Sequence, residues 1–189
     1  MLELKNVSFS YDKEPVLTNF NLKVQEGKAV CLNGPSGCGK STVLKLLAGL
    51  IKADSGTVIA PNRVSVVFQE DRLLPWFDLE KNLLLTVGKE KQAEIRALLW
   101  EVGLGDKLHS KIEDLSGGMK RRASICRAIA FSGDALLLDE PFNGIDKENK
   151  QIIANIIKRE FIDKGKPVLM SSHITDDAEL LDAGIYKFQ

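Results

Sequence analysis

Long apolar runs are missing from this sequence. Its uninterrupted hydrophobic stretches are short, as in Ala135 to Leu138, where a bilayer-spanning helix needs roughly 20 such residues. The opening MLELKNVSFSYD carries no basic cluster followed by an apolar core, so it does not read as a secretory signal. An excess of either charge is missing too. Lys+Arg and Asp+Glu number 26 each, and bulk charge therefore gives no pull toward nucleic acid or anionic lipid; no nucleic-acid partner is expected. Cysteine is scarce. Cys31, Cys38 and Cys126 are odd in number and lack metal-ligand spacing, which argues against a disulfide framework and suits a reducing compartment. Repeats, linkers and low-complexity segments are likewise absent.

What is present is ordinary globular material. The 189 residues are 44% hydrophobic and 28% charged, enough for one domain with a sizeable core. LELKNVSFSY alternates apolar and polar residues and reads as a half-buried strand. VLTNFNLKVQEGKAVCLNG reads as two more strands around a turn at Glu26-Gly27. Ser41 to Leu50 reads as a helix, from Val43, Leu44, Leu46, Leu47 and Leu50. GTVIAPNRVSVVFQE returns to strands. Helical spacing follows between Leu79 and Trp100, and again after Gly117-Gly118 through MKRRASICRAIA. ALLLD, apolar throughout, suits a parallel strand covered on both faces. An amphipathic helix with Ile152, Ile153, Ile156, Ile157 and Phe161 inward, the strand KPVLMSSH, a short helix TDDAELLDAG and a last strand IYKFQ complete the chain. This alternation predicts an α/β fold with a mainly parallel sheet. It is one domain over 1–189, with a helical subdomain from about 71 to 130 inserted in the core.

The stretch GPSGCGKST concentrates the chemistry. Gly34, Gly39, Lys40 and Ser41 match G-x-x-x-x-G-K-[ST] between a predicted strand and a predicted helix. Glycine-rich backbone across Gly34, Pro35, Ser36, Gly37, Cys38 and Gly39 can turn successive N–H groups into one concavity. The helix start behind it adds unpaired donors and partial positive charge. Lys40 is a mobile charge able to reach the β- and γ-phosphates of a nucleotide. Ser41 is a hydroxyl ligand for Mg²⁺, and Thr42 can hydrogen-bond the α-phosphate. A second part is expected at the end of ALLLDE: Asp139 in the Mg²⁺ shell, and Glu140 where a carboxylate polarises an attacking water. These residues alone imply a P-loop nucleotide hydrolase or kinase.

LSGGMKRRASICRAIA narrows the choice. Leu115 to Gly118 resemble the signature of ATP-binding cassette (ABC) ATPases, whose common form is LSGGQ. The order is similar to that family along the whole chain: Tyr11, the phosphate loop, Gln69 closing VSVVFQ, the signature, LLLDEP, NGID, and His173 closing VLMSSH. The resemblance implies a P-loop core with an N-terminal antiparallel β portion, ATP and Mg²⁺ as ligands, and hydrolysis of ATP. It implies that Tyr11 stacks on adenine, and that Gln69 touches the Mg²⁺ or its water and senses the γ-phosphate. Ser116, Gly117 and Gly118 would bind ATP held by a second, identical cassette. Asp146 would cross that interface, and His173 would help Glu140 place the water. The family's remaining partner is an integral membrane permease, with the ATPase peripheral on the cytoplasmic face.

DRLLPWF looks like the same region in importers of nitrate, taurine and alkyl sulfonates. Leu73, Leu74, Pro75, Trp76 and Phe77 are too apolar for a free loop; they either pack inward or receive a helix of the membrane subunit. The sequence departs from the family pattern at Met119, where glutamine is usual, and in NGID, where SALD is usual. It also closes about ten residues after its last helix signal, without the C-terminal regulatory extension of many importers. Two other classes share the nucleotide site: a non-transport ABC ATPase of the cytosol, and a small-molecule P-loop kinase, which has no use for LSGG or His173.

Overall fold

The structure, a computed structural model, describes residues 1–188; Gln189, the last residue of the expected strand IYKFQ, lies outside them. In chain order the strands are β1 (Leu2–Tyr11), β2 (Glu14–Val24), β3 (Ala29–Asn33), β4 (Ser55–Ile59), β5 (Val64–Val67), β6 (Ala135–Asp139), β7 (Val168–Ser172) and β8 (Gly184–Lys187). The helices are α1 (Lys40–Leu47), α2 (Leu79–Val87), α3 (Gln92–Glu101), α4 (Gly117–Phe131), α5 (Lys147–Ile157) and α6 (Thr175–Glu179). A π-helical turn, Lys158–Ile162, continues α5.

Two sheets result. β2, β1 and β4 form an antiparallel sheet in that order. Asp12 and Lys13 link β1 to β2 with φ of 47° and 71°, the backbone sign that fits the right-handed twist of a two-residue hairpin. The second sheet runs β5-β6-β7-β3-β8, every neighbouring pair parallel. Alternation along β6 shows why ALLLD is apolar throughout. Leu136 and Leu138 join the larger core with Ile125 and Ile129 of α4. Ala135 and Leu137 join the other core with Val43, Leu44 and Leu47 of α1 and Leu2 and Leu4 of β1. Burying each such leucine is worth about 1.5–3 kcal/mol. Between β5 and β6 the named elements are α2, α3 and α4, with short 3-10 turns.

Several boundaries differ from the sequence reading: β7 ends at Ser172, one residue before His173, α6 ends at Glu179, and two others have visible causes. α1 ends at Leu47 rather than Leu50. Gly49 takes φ 69°, its N–H donates to the Leu46 carbonyl, and the Leu50 N–H donates to the Lys45 carbonyl. This paired closure stops a helix at a left-handed glycine. β5 ends at Val67, before Gln69. The Arg121 guanidinium of α4 takes the carbonyls of Phe68 and Gln69, so the chain leaves the sheet there.

Candidate active site

The candidate residues gather where parallel strands end, the usual place for ligands in an open α/β sheet. β3 leads into the glycine loop and then α1. Gly37 and Gly39 have φ of 82° and 105°, a backbone that side chains disfavour. Gly34 is glycine for a different reason: a Cβ there would lie 2.9 Å from Phe188 Cβ and 3.0 Å from Cys38 Sγ.

The start of α1 is built to meet an anion. α2, α4 and α5 are capped by the side chains of Asp78, Ser116 and Asp146. α1 begins on Gly39 with no side-chain cap and no acid in its first turn, which leaves its amides and dipole end for a ligand. Lys40 is buried, with Nζ 2.7 Å from the Gly34 carbonyl oxygen and 2.8 Å from that of Pro35. Cys38 Sγ is 3.9 Å from the same ammonium. No carboxylate pairs with Lys40 among the described residues, so a buried cation rests on neutral oxygens, an arrangement completed by a negative group. Pro35, Ser36 and Gly37 are exposed on the loop, Ser41 is half-buried and Thr42 is buried. A triphosphate fits this cradle.

Strand register assembles the second part. Asp139 on β6 pairs with Ser171 on β7, and Ser172 pairs with Asn33 on β3. The Ser171 hydroxyl donates to Asp139 Oδ1 at 2.6 Å and accepts the Glu140 N–H at 3.0 Å. Glu140 itself has φ 48°, a left-handed conformation that costs a non-glycine residue roughly 1–3 kcal/mol. Its carboxylate lies between two neighbours. His173 Nδ1 is 3.5 Å from Oε1, and the Asn143 amide donates to Oε2. Ser41, Asp139 and Gln69 offer only hard oxygen donors, and among the described residues no group of three or more His, Cys, Asp or Glu could hold a metal alone. That donor set fits Mg²⁺, which keeps waters and phosphate oxygens for most of its shell. Gln69 is exposed. Tyr11 ends β1 at the hairpin turn, partly exposed, edge-on to Phe9 at 4.7 Å. Val16 and Leu17 of the same hairpin lie against Gly39, so β2 passes beside the start of α1.

The signature heads α4. Ser116 is its N-cap, accepting the Met119 N–H at 3.3 Å. The two glycines differ. A Cβ on Gly117 would meet nothing within 4 Å, whereas one on Gly118 would lie 2.7 Å from the Gly144 carbonyl oxygen. Ser116 and Gly117 are thus open to whatever approaches, and Gly118 is packed against NGID. Met119 packs against the larger core. Asp146 caps α5: Oδ1 accepts the Asn149 N–H at 3.0 Å and Oδ2 accepts its amide at 2.7 Å. Those hydrogen bonds hold the Asp146 carboxyl below its ordinary pKa.

A family model described as "ABC transporter" matches residues 17–143. The chain belongs to the ABC transporter family. Among curated relatives of this ABC chain is the aliphatic sulfonates import ATP-binding protein SsuB 1 of Streptomyces avermitilis, 41% identical over 173 residues. The match covers 91% of the chain and 66% of that protein. The taurine import ATP-binding protein TauB of Yersinia pestis bv. Antiqua is 35% identical over 195 residues, covering 96% of the chain and 76% of that protein. The chain thus spans only about two thirds of the sulfonate relative's length. The fold superposes on the dimeric structure of MJ0796, a bacterial ABC transporter cassette, with a TM-score of 0.89 and 28% identity, over 100% of this chain and 94% of that one.

Several residues that shape this ABC site escaped the sequence reading. Arg121 is buried. Besides Phe68 and Gln69, it donates to the carbonyls of Asp139, Glu140 (2.8 Å) and Pro141 (3.1 Å), and it meets Asp71 at 3.5 Å. Burial pulls this guanidinium below its ordinary pKa. Arg127, two turns on, donates to the carbonyls of Asp71 and Arg72. Asn82, also buried, binds the Leu74 N–H and the carbonyls of Leu74, Phe77 and Asp78. The two alternatives for Leu73 to Phe77 are therefore divided. Leu73 packs on the core, the backbone is pinned by Asn82, and Trp76 stands 73% exposed. A charged or amide residue on the buried face of a helix was the available signal for Arg121 and Asn82.

Proposed function

We propose that the chain binds and hydrolyses ATP as one of two identical cassettes, and that the pair drives a separate integral membrane permease importing a small anionic solute. One juxtaposition carries this reading. Lys40 and the uncapped start of α1 stand at the end of β3, and the Glu140–His173 pair stands at the ends of β6 and β7 in the same sheet. Their position at the same end of one sheet supports reading the first as a phosphate-binding centre and Glu140 as a water-directing carboxylate.

The chemistry follows. Lys40 turns from the Gly34 and Pro35 carbonyls to the β- and γ-phosphate oxygens. Glu140 accepts a hydrogen bond from the attacking water, and His173 helps orient that water toward the γ-phosphorus. The water oxygen bonds to the γ-phosphorus as its bond to the bridging oxygen breaks; the bridging oxygen leaves on ADP, and the water's proton passes by way of Glu140 to the departing phosphate. Mg²⁺ held by Ser41, Gln69 and Asp139 would neutralise charge on the phosphate oxygens. Tyr11 supplies a flat face for adenine. Ser116, Gly117 and Gly118, at the start of α4, bind the ATP held by the partner cassette, with Gly118 also packed close to the Gly144 carbonyl. Asp146 contributes to that interface. The dimeric state of the solved relative supports the pairing, and the sulfonate and taurine relatives support an anionic cargo. Among the described residues no helix is long and apolar enough to cross a membrane, in keeping with a subunit peripheral on the cytoplasmic face. The whole 1–189 stretch acts as one cassette, the helices of about 71–130 forming its helical subdomain.

Phosphate release measured across a dilution series tests the pairing. Activity per molecule should rise with concentration. Activity strictly linear in protein down to dilute monomer would favour a kinase-like monomer instead. Reconstitution with a permease in vesicles, comparing taurine and alkyl sulfonate uptake, tests the cargo.

A further inference from the structure

Neither the residue type of Glu140 nor its proline neighbour accounts for its backbone. A side chain disfavours positive φ, and a following proline, here Pro141, pushes the preceding residue toward extended conformations. Its φ is nonetheless 48°. Within the turn the Asn143 N–H donates to the Glu140 carbonyl at 3.4 Å; the other groups that hold it come from two other elements. On the β7 side, Ser171 is fully buried, its hydroxyl proton given to Asp139 Oδ1 and one lone pair accepting the Glu140 N–H. On the α4 side, one guanidinium takes the carbonyls of Asp139, Glu140 and Pro141 in succession. Arginine's planar fork can serve such a fan of acceptors, and a lysine ammonium cannot reproduce it.

We propose that Ser171 and Arg121 are positioning residues: together they hold the Glu140 main chain in its left-handed conformation and so fix where its carboxylate stands. The catalytic consequence rests on the reading of Glu140 as the residue that directs water. Because Arg121 also binds the Phe68 and Gln69 carbonyls, Gln69 and Glu140 share one anchor on the signature helix.

The test uses the full chain with Mg-ATP. Ser171→Ala removes a single buried hydroxyl and should lower kcat by at least about tenfold while KM for ATP stays within about twofold; Ser171→Thr, which restores a hydroxyl, should recover most of the loss. Arg121→Lys should show the same split between kcat and KM. In single-turnover experiments on Glu140→Gln, adding Ser171→Ala should cause no further loss. An unchanged kcat in Ser171→Ala, or a full additional loss in the Glu140→Gln background, would overturn the proposal. If Glu140→Gln itself turned over normally, the water-directing role would fail instead. The positioning claim then stands or falls on a crystal structure of Arg121→Lys/Ser171→Ala: residue 140 should relax to negative φ, and retention of positive φ would refute it.

Discussion

His173 Nδ1 and Glu140 Oε1 lie 3.5 Å apart, although the two residues leave different strands. The parallel register of β6 against β7 brings them together, and the turn at Glu140 aims the carboxylate across the gap. Glu140→Gln should keep ATP binding, accumulate a nucleotide-bound dimer and lower turnover by about a hundredfold or more. Phosphate release and size-exclusion chromatography with ATP check both halves. Normal hydrolysis would remove Glu140 from the chemistry.

Lys40 should matter more for binding than for folding. Its ammonium rests on two neutral carbonyls, and a charge-assisted contact to phosphate is worth about 1.5–3 kcal/mol. Lys40→Ala should therefore weaken ATP about tenfold to a hundredfold, read by titration of a fluorescent ATP analogue.

The signature glycines should separate. Gly118→Ala drives a methyl into the Gly144 carbonyl, with an expected loss of about 1–3 kcal/mol and a Tm drop of about 2–4 °C for each kcal/mol. Gly117→Ala meets open space within the chain. Its Tm should hold, and, on the proposed pairing of cassettes, its ATPase rate should fall. Calorimetry beside phosphate release distinguishes the two.

Thiol chemistry should be confined to one site. Burial pushes Cys31 up to about 11 and Cys126 up to about 12, so neither offers appreciable thiolate near pH 8. Maleimide should label Cys38 alone, beside Lys40, and abolish nucleotide binding. ATP added first should protect. Undiminished binding after confirmed Cys38 labelling would mean the nucleotide lies elsewhere.

Glu80 predicts a pH dependence of stability. It is buried at the start of α2, and hydrogen bonds from Arg96 and then Gln92 hold its carboxyl below the ordinary 4.5. A depressed folded pKa stabilises above the unfolded value and loses that contribution as pH falls through the folded one. The Tm difference between wild type and Glu80→Gln should be largest near neutrality and shrink as pH drops below about 4.5. A difference that did not shrink at all as the pH fell below about 4.5 would show that the ion pair is not its source.

Much of this was legible in the sequence because it is local. The glycine spacing marks the loop before α1, and apolar spacing marks α5 with its π-helical continuation: Ile153, Ile156, Ile157 and Phe161 are buried and Ile152 is partly so. β6 was readable because both its faces need apolar residues. What stayed hidden is long-range. Arg121 reaches carbonyls at Phe68 and Asp139 from the middle of another element, and backbone acceptors leave no trace in residue type. The end of β5 was misplaced for the same reason, since the arginine that draws Phe68 and Gln69 aside lies far along the chain. The end of α1 was misplaced for a smaller one: apolar periodicity continued to Leu50, and Gly49 outweighed it.

The cap on α4 leaves Ser116 with something to spare. Its oxygen accepts from the Met119 amide, yet that same hydroxyl still owns a proton and can give it away. An oxygen atom presented by a neighbouring molecule could therefore be greeted without unwinding the first turn. The terminus is already well formed in the single chain, so docking of such a molecule would ask no refolding of it.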